Sequence, residues 1–356
     1  MIAGSMSRGT FLRRTVSIGA AFVACPMLTM PARAAAPAHR LVFGHTFGSS
    51  TKGYVATGLD SFKELAEKYS GGKLLVDIHE AGSLGPQTVL PQKVVGGSIQ
   101  GCQVSTQNFA RFSEVFEILD LPCLFDSNDQ FERTIEKDEF MNTEFVTRPA
   151  KQGFQVVPGM WANTGFRVFG VSRKLGRTVR LPGDLKGMKV RTNGTRAEEV
   201  MFRLTTANPV SVAWGEAYQA LAQGAVDALS VGVGPITATK IHEALGAATF
   251  YDLNFNAHIT VLNKKWFDAL PTDVKDAIFR AGRESWELQK QEQRKADDAM
   301  MRLWKERGID VVMLTPDERA AWKAGVGHER KDYAGLKQAL GQAALEQLLR
   351  LKPAAA

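Results

Sequence analysis

The sequence predicts an α/β protein made of two successive units that share one long helix. Three observations lead there. From residue 40 onward, short apolar strand-like segments alternate with amphipathic helical ones, the pattern of a parallel α/β sheet. The alternation restarts after "FQVVPGMWANTGFRVFG", Phe154 to Gly170. Pro271 to Arg307 then reads as helix, with a possible break at Gly282. At ~1.5 Å rise per residue such a helix reaches roughly 54 Å, longer than one lobe of a chain this size.

Each element has its own local reason. "RLVFGHTF" (Arg40 to Phe47) is a strand, and Gly53 to Tyr69 an amphipathic helix stopped by Ser70-Gly71-Gly72. "KLLVDIHEAGSLG" is a strand running into a glycine-rich turn, "TVLPQKVVGGSI" a short helix and "IQGCQVST" a strand. After "LDLPCLFDS", Asn128 to Lys151 reads as one helical stretch. In the second unit "GMKVR" is a strand, "TRAEEVMFRL" a helix, "WGEAYQALAQG" a helix ended by Gly224, and "AVDALSVG" a strand. "GIDVVMLTPDERAAW" closes with a strand and a helix.

Residues 1–34 stand apart as an export signal peptide. Arg8, Arg13 and Arg14 form a basic head, Thr15 to Met30 an apolar run, and Ala32-Arg33-Ala34 a small-x-small cleavage site. The run is too short and interrupted for a spanning helix, which takes about 20 residues. "SRGTFLR" is near a twin-arginine motif, but Gly9 replaces the second arginine, so both export routes stay open. Cleavage removes four arginines and no acid, taking the net charge from +7 to +3. No run of five Lys/Arg follows, which argues against nucleic-acid binding. Cys102 and Cys123 remain; an exported protein can pair them, but small buried thiols are the expectation. The 44% apolar and 23% charged composition is that of a soluble globular chain, expected in the periplasm.

Chemistry concentrates at "DLKGMKVRTNG", where Arg191 ends a strand before a polar turn. A guanidinium there suits a carboxylate, since ligands gather at strand ends of α/β sheets. It would equally serve as an internal ion-pair partner or face solvent. Arg167 alternates with Phe166 and Val168 in a strand, and Trp214 and Trp161 are candidate aromatic walls or core residues. The six histidines, His45 among them, have no metal-ligand spacing. No catalytic motif is present: there is no G-x-S-x-G, H-E-x-x-H, C-x-x-C or P-loop. An exported hydrolase is the rival class, with only scattered Ser and His to support it.

Taken in order, "SGGKLLVDIHEAGSLGPQ", "LDLPCLF", "NTGFRVF", "PGDLKGMKVR", "GEAYQALAQGAVDA" and "ALPTDVKDAI" resemble the solute-binding proteins of tripartite ATP-independent periplasmic (TRAP) transporters, the dicarboxylate-receptor-like (DctP) family. The resemblance covers residues 40 to 310. It implies a two-lobed periplasmic-binding-protein fold with a hinge and a long interlobe helix, and no enzyme activity. The implied first lobe is 38–163 plus 253–285, and the second 164–252 plus 286–350. It also implies a monomeric receptor that passes a small organic acid to membrane permease subunits; a receptor for another transport or sensing system shares this fold. Residue by residue, Arg191 and Arg167 match the family's carboxylate arginines and Trp214 its covering aromatic. Thr46, Gln87, Ser105 and Asn108 match polar positions of the first lobe. Where many members have a ligand asparagine this chain has Val231, which implies a less polar pocket and a more apolar or aromatic acid than a hydroxyl-rich sugar acid. The Glu-Trp pair of cation-using relatives is absent, so no metal or cofactor is expected.

Overall fold

Two long strands carry the architecture. The computed structural model describes residues 37–48 and 57–354, so the export signal and the start predicted for the first helix lie outside the described residues. The strands are β1 (His39–Gly44), β2 (Leu74–His79), β3 (Gly101–Ser105), β4 (Phe154–Ser172), β5 (Lys189–Thr192), β6 (Asn208–Ser211), β7 (Ala228–Gly232), β8 (Leu245–Asn263) and β9 (Asp310–Met313). They join in the order β2-β1-β3-β8-β4-β7-β5-β6, with β9 off this path, pairing β8 beside its N-terminal part.

β4 and β8, 19 residues each, belong to both lobes. The C-terminal part of β8 pairs with β3 and the start of β4, completing the first lobe's sheet. Its N-terminal part pairs with β9 and the end of β4, which in turn holds β7. Between these parts the β4–β8 register shifts three times, between Val156 and Trp161, between Asn163 and Phe166, and between Phe166 and Val168. Gly159 and Gly165 sit there at φ of 70° and 78°, a left-handed backbone that glycine adopts without a Cβ clash. The predicted parallel pairing holds for β1 with β2 and β3, and for β5 with β6 and β7. The two shared strands are antiparallel instead, to each other and to β3 and β7.

The helices are α1 (Leu59–Tyr69), α2 (Leu90–Val95), α3 (Thr106–Phe109), α4 (Asn128–Ile135), α5 (Glu144–Lys151), α6 (Arg196–Leu204), α7 (Ala217–Gln223), α8 (Val233–Ala238), α9 (Lys264–Asp268), α10 (Thr272–Glu306), α11 (Pro316–Val326), α12 (Ala334–Leu340) and α13 (Gln342–Leu351). The single helix expected over 128–151 is in fact α4 and α5, separated by a tight turn at Asp138–Asn142. Ser127 caps α4, its hydroxyl accepting the Gln130 N–H at 3.1 Å.

α10 runs 35 residues without the break expected at Gly282. Its early residues Val274, Ile278 and Ala281 pack with Leu41, Phe43 and Phe62 of the first lobe. Its later ones, Ala296, Met300 and Trp304, pack with Leu229, Val231 and Leu245 of the second. Gly282 is needed for proximity, since a Cβ there would lie 2.6 Å from the Pro158 carbonyl oxygen of β4. The C-terminal helices return to the other side of the molecule: Arg148 of α5 donates to the Leu340 carbonyl at 2.9 Å, and Leu345 and Leu348 join the aromatic core around Phe116 and Phe145. Cys102 and Cys123 are both free thiols, Cys102 fully buried, and burial raises Cys123 to about 11.

Candidate functional site

β5 is a short inner strand, and its C-terminal end opens on a cleft of about 720 Å³. Arg191 is its penultimate residue, and its guanidinium is one of the groups lining that cleft. The group is only 2% exposed, and its Nε donates to the Val212 carbonyl at 2.9 Å. The ring of Trp214 lies 5.5 Å from the guanidinium carbon, within cation–π range. Burial lowers its pKa to about 10, with Glu198 opposing and Arg167 adding to that shift. It is therefore charged at neutral pH, and among the described residues it makes no ion pair.

Four polar groups of the first lobe face it as one hydrogen-bonded set. Gln87 Nε2 donates to Thr46 Oγ1 at 2.9 Å, and Gln87 Oε1 accepts from the Ser105 N–H at 2.7 Å and from Asn108 Nδ2 at 3.2 Å. Asn108 Nδ2 also donates to Ser105 Oγ at 2.9 Å, and that hydroxyl caps α3. Each side chain thus fixes the next, so the set is pre-organised. Thr46, Gln87 and Asn108 line the main cleft, and Ser105 lines a small inner recess of about 30 Å³ beneath it. Val231 reaches that recess, as the sequence departure implies, but so do Asn256 and His258 of β8. Burial lowers His258 to about 3 and His45 to about 4, so both are neutral imidazoles near pH 7. His45 is thus the neutral buried residue expected.

Two expected site residues are elsewhere. Arg167 is 1% exposed and engaged by two acids: Nη1 bonds Glu198, and Nη2 lies 3.2 Å from Asp120 Oδ1. Asp120 also accepts from Gln107 and from Thr195 Oγ1, each at 2.7 Å, while Glu198 Oε2 accepts the Asn193 N–H at 2.8 Å. Burial raises Asp120 to about 7, opposed by Arg167 and assisted by Glu198. Arg167 is the cation of an internal network that also holds the Arg191 loop, through Glu198 and the Asn193 N–H. Trp161 is core: its ring packs 6.2 Å from Phe116, 6.1 Å from Phe131 and 5.9 Å from Phe140. It borders a separate hollow of about 190 Å³ beside Trp286.

Arg111 and Ser211, which pattern reading passes over, line the cleft, and so does Tyr218, which it reads as holding the helix in place. Tyr218 carried a signal in its spacing from Trp214, one helical turn on. Arg111 carried none, being an exposed arginine in a loop. Among the described residues, no cluster of three or more His, Cys, Asp or Glu is arranged to hold a metal ion, and no helix is long and apolar enough to cross a membrane.

The family model for "Bacterial extracellular solute-binding protein, family 7" (DctP) matches residues 43–335. This chain is a family 7 solute-binding protein. The receptor is 26% identical over 299 residues to the 2,3-diketo-L-gulonate-binding periplasmic protein YiaO of Escherichia coli K12, covering 83% of this chain and 87% of YiaO. It is 27% identical over 272 residues to the C4-dicarboxylate-binding periplasmic protein DctP of Rhodobacter capsulatus, covering 75% and 78%. In fold it matches the sugar acid binding protein DctPAm of Advenella mimigardefordensis in complex with galactonate, with a TM-score of 0.78 at 24% identity over 89% of this chain and 98% of that one. A TRAP periplasmic solute binding protein of Polaromonas, bound to D-erythronate, gives 0.79 at 19% identity over 89% and 99%. The family consists of binding receptors for transport, so the receptor is no enzyme, and it works in the periplasm.

Proposed function

We propose that this receptor holds a small organic acid in the cleft by its carboxylate, on Arg191, and hands it to the membrane permease subunits of a TRAP transporter. The observation that carries this reading is a buried, charged guanidinium without an acid partner, facing a cleft that contains no Asp or Glu among its described lining residues. Leaving a buried charge uncompensated is costly, so the fold retains it for an anion that arrives from outside. Relatives named for acids support the class: a diketogulonate and C4-dicarboxylates.

The ligand's carboxylate takes the Nη groups of Arg191 in two charge-assisted bonds. Its body lies against Trp214, and Thr46, Gln87 and Asn108 meet the other end. With Val231 on the inner wall, the preferred acid is apolar or aromatic in its body. Lobes built on 38–163 plus 253–285 and on 164–252 plus the residues from 286 onward, with α12 and α13 staying packed on the first, close about the glycine-bearing stretch of β4 and bury the acid between them. The protein acts as a monomer without a cofactor.

A thermal-shift screen over small acids, followed by calorimetry, tests the reading. Removing one partner of a desolvated charge pair costs ~2–5 kcal/mol, about 30- to several-thousand-fold in affinity. Arg191→Ala is expected to lose measurable binding and Arg191→Lys, which keeps charge but not the fork, to be badly impaired. Wild-type affinity in Arg191→Lys would refute the bidentate contact; hydrolysis of offered esters or amides would refute the receptor itself.

A further inference from the structure

We infer that the hollow beside Trp286 is a second ligand site, separate from the cleft, and that it takes a small uncharged aromatic molecule, a single ring carrying a hydroxyl. The two sites share no lining residue, and this one calls for no carboxylate on its ligand.

The hollow lies where α10 crosses β4. A Cβ on Gly159 would lie 2.7 Å from the Arg283 Cα, so strand and helix touch at that point. Beside this contact the Asp138–Asn142 turn supplies another wall, and about 190 Å³ is left between them. Phe140, Trp161 and Trp286 line the space, each no more than 2% exposed, and the rings of Phe140 and Trp161 are 5.9 Å apart. Trp286 is held twice: its Nε1 donates to Glu136 Oε1 at 2.7 Å, and the Lys290 ammonium lies 5.6 Å from its ring centre. The aromatic walls are thus fixed in advance, and binding has little ordering left to do. Water in such a space meets ring surface it hydrates poorly, and an apolar ring is drawn there for the same reason.

Size sets the ring count. An apolar cavity of about 150 Å³ accepts benzene. This hollow is slightly larger, so a benzene-sized ring leaves room for one small substituent. The charged groups that line it define that substituent. Lys137 is half-buried, Asp138 and Arg283 are exposed, and among the described residues none of their side chains has a hydrogen-bond or ion-pair partner. A hydroxyl accepts from an ammonium or a guanidinium and donates to a carboxylate, so it serves both signs of charge at once. A carboxylate on the ring would instead face Glu136, Asp138 and Glu287 along with the two cations, which favours the neutral group.

Titrating the receptor with phenol at neutral pH, with no acid present, tests this through the indole N–H resonances, assigned by single tryptophan substitutions. Phenol is uncharged there and offers Arg191 no carboxylate. Saturable shifts of the Trp161 and Trp286 signals are expected, with Trp214 in the cleft unmoved. Met141 also lines the hollow, and Met141→Trp, which puts bulk into it, is expected to weaken phenol about tenfold or more. Lys137→Met should weaken phenol roughly tenfold and leave toluene, which lacks the hydroxyl, unchanged. Thermal melts check folding, and Met141→Ala supplies a second variant: by widening the hollow it should tighten naphthol. Shifts that rise without saturating, or that fall on Trp214 alone, overturn the site. So does a phenol affinity that ignores Met141→Trp, or a naphthol affinity that ignores Met141→Ala. Equal losses of phenol and toluene in Lys137→Met overturn the assignment of the hydroxyl. None of these failures touches the carboxylate reading, which is measured with acids and with Arg191 variants.

Discussion

Arg167 and Arg191 show how far a single residue's chemistry depends on its neighbours. Both are buried arginines on strands, and both matched the same functional expectation. Arg167 meets Asp120 and Glu198, so its charge is compensated within the protein. Arg191 meets a carbonyl and an indole face. Replacing Arg167 by Met would strand two carboxylates in the interior, and such a broken pair typically costs ~3–5 kcal/mol. Urea unfolding of Arg167→Met is therefore expected to show a large fall in midpoint; an unchanged midpoint with lost acid binding would return Arg167 to the ligand. Trp214 is half-buried beside the charge, and its truncation removes a flat wall. Trp214→Ala should weaken aromatic acids more than aliphatic ones in calorimetry, and equal losses would dismiss stacking. None of this separation was legible in the chain, because the acids that claim Arg167 lie 47 and 31 residues away.

At the scale of elements, the helices and short strands follow from local signals, while the two shared strands do not. β5, α6, α7 and β7 fall where apolar period and turn residues put them. β8 is hard to read, since Asn254, Asn256 and His258 interrupt its apolar run. The two asparagines are tolerated inside because they have work there: Asn254 Nδ2 donates to the Asp120 carbonyl at 2.6 Å, and Asn256 bonds Thr164. Gly282 was expected to weaken α10, as glycine costs ~1 kcal/mol in a helix. Its crossing with β4 reverses that reasoning, because Ala would collide with Pro158. Gly282→Ala is expected to destabilise by ~1–3 kcal/mol, the usual cost of overpacking. Gly335 in α12 has open space around its Cβ position, and Gly335→Ala should stabilise by up to ~1 kcal/mol. Denaturant midpoints that move in the same direction for both would show that the β4–α10 contact does not dictate Gly282.

The whole molecule responds to pH through groups the fold has buried. His45 and His328, near 4, and His258, near 3, lie below their ordinary 6.5 through desolvation. For these groups the unfolded chain binds more protons, so their contribution is full above 6.5 and is lost as pH falls from there toward 4 and 3. Asp120, near 7, and Asp297, near 6, are raised by burial from 3.8 and act in the opposite sense, contributing below 3.8 and losing that contribution as pH rises through 6 to 7. With the fully buried His258 removed, the acid limb should flatten. The rise in melting temperature between pH 4.5 and 6.5 is expected to be smaller in His258→Asn than in wild type; identical slopes would mean that His258 is already solvated.

Local pattern alone determined the alternation of strands and helices, the helix long enough to join two lobes, and a guanidinium at the tip of β5. Those properties depend on neighbours within a turn or two, and the ordered motifs extended them to the family. Folding alone decided which arginine keeps a free charge. It also drew Trp161 into the core, passed two strands through both lobes, and brought Arg111 to the same cleft as Arg191. Each of those outcomes is set by groups dozens of residues apart in the chain, and no local periodicity encodes which of them come into contact.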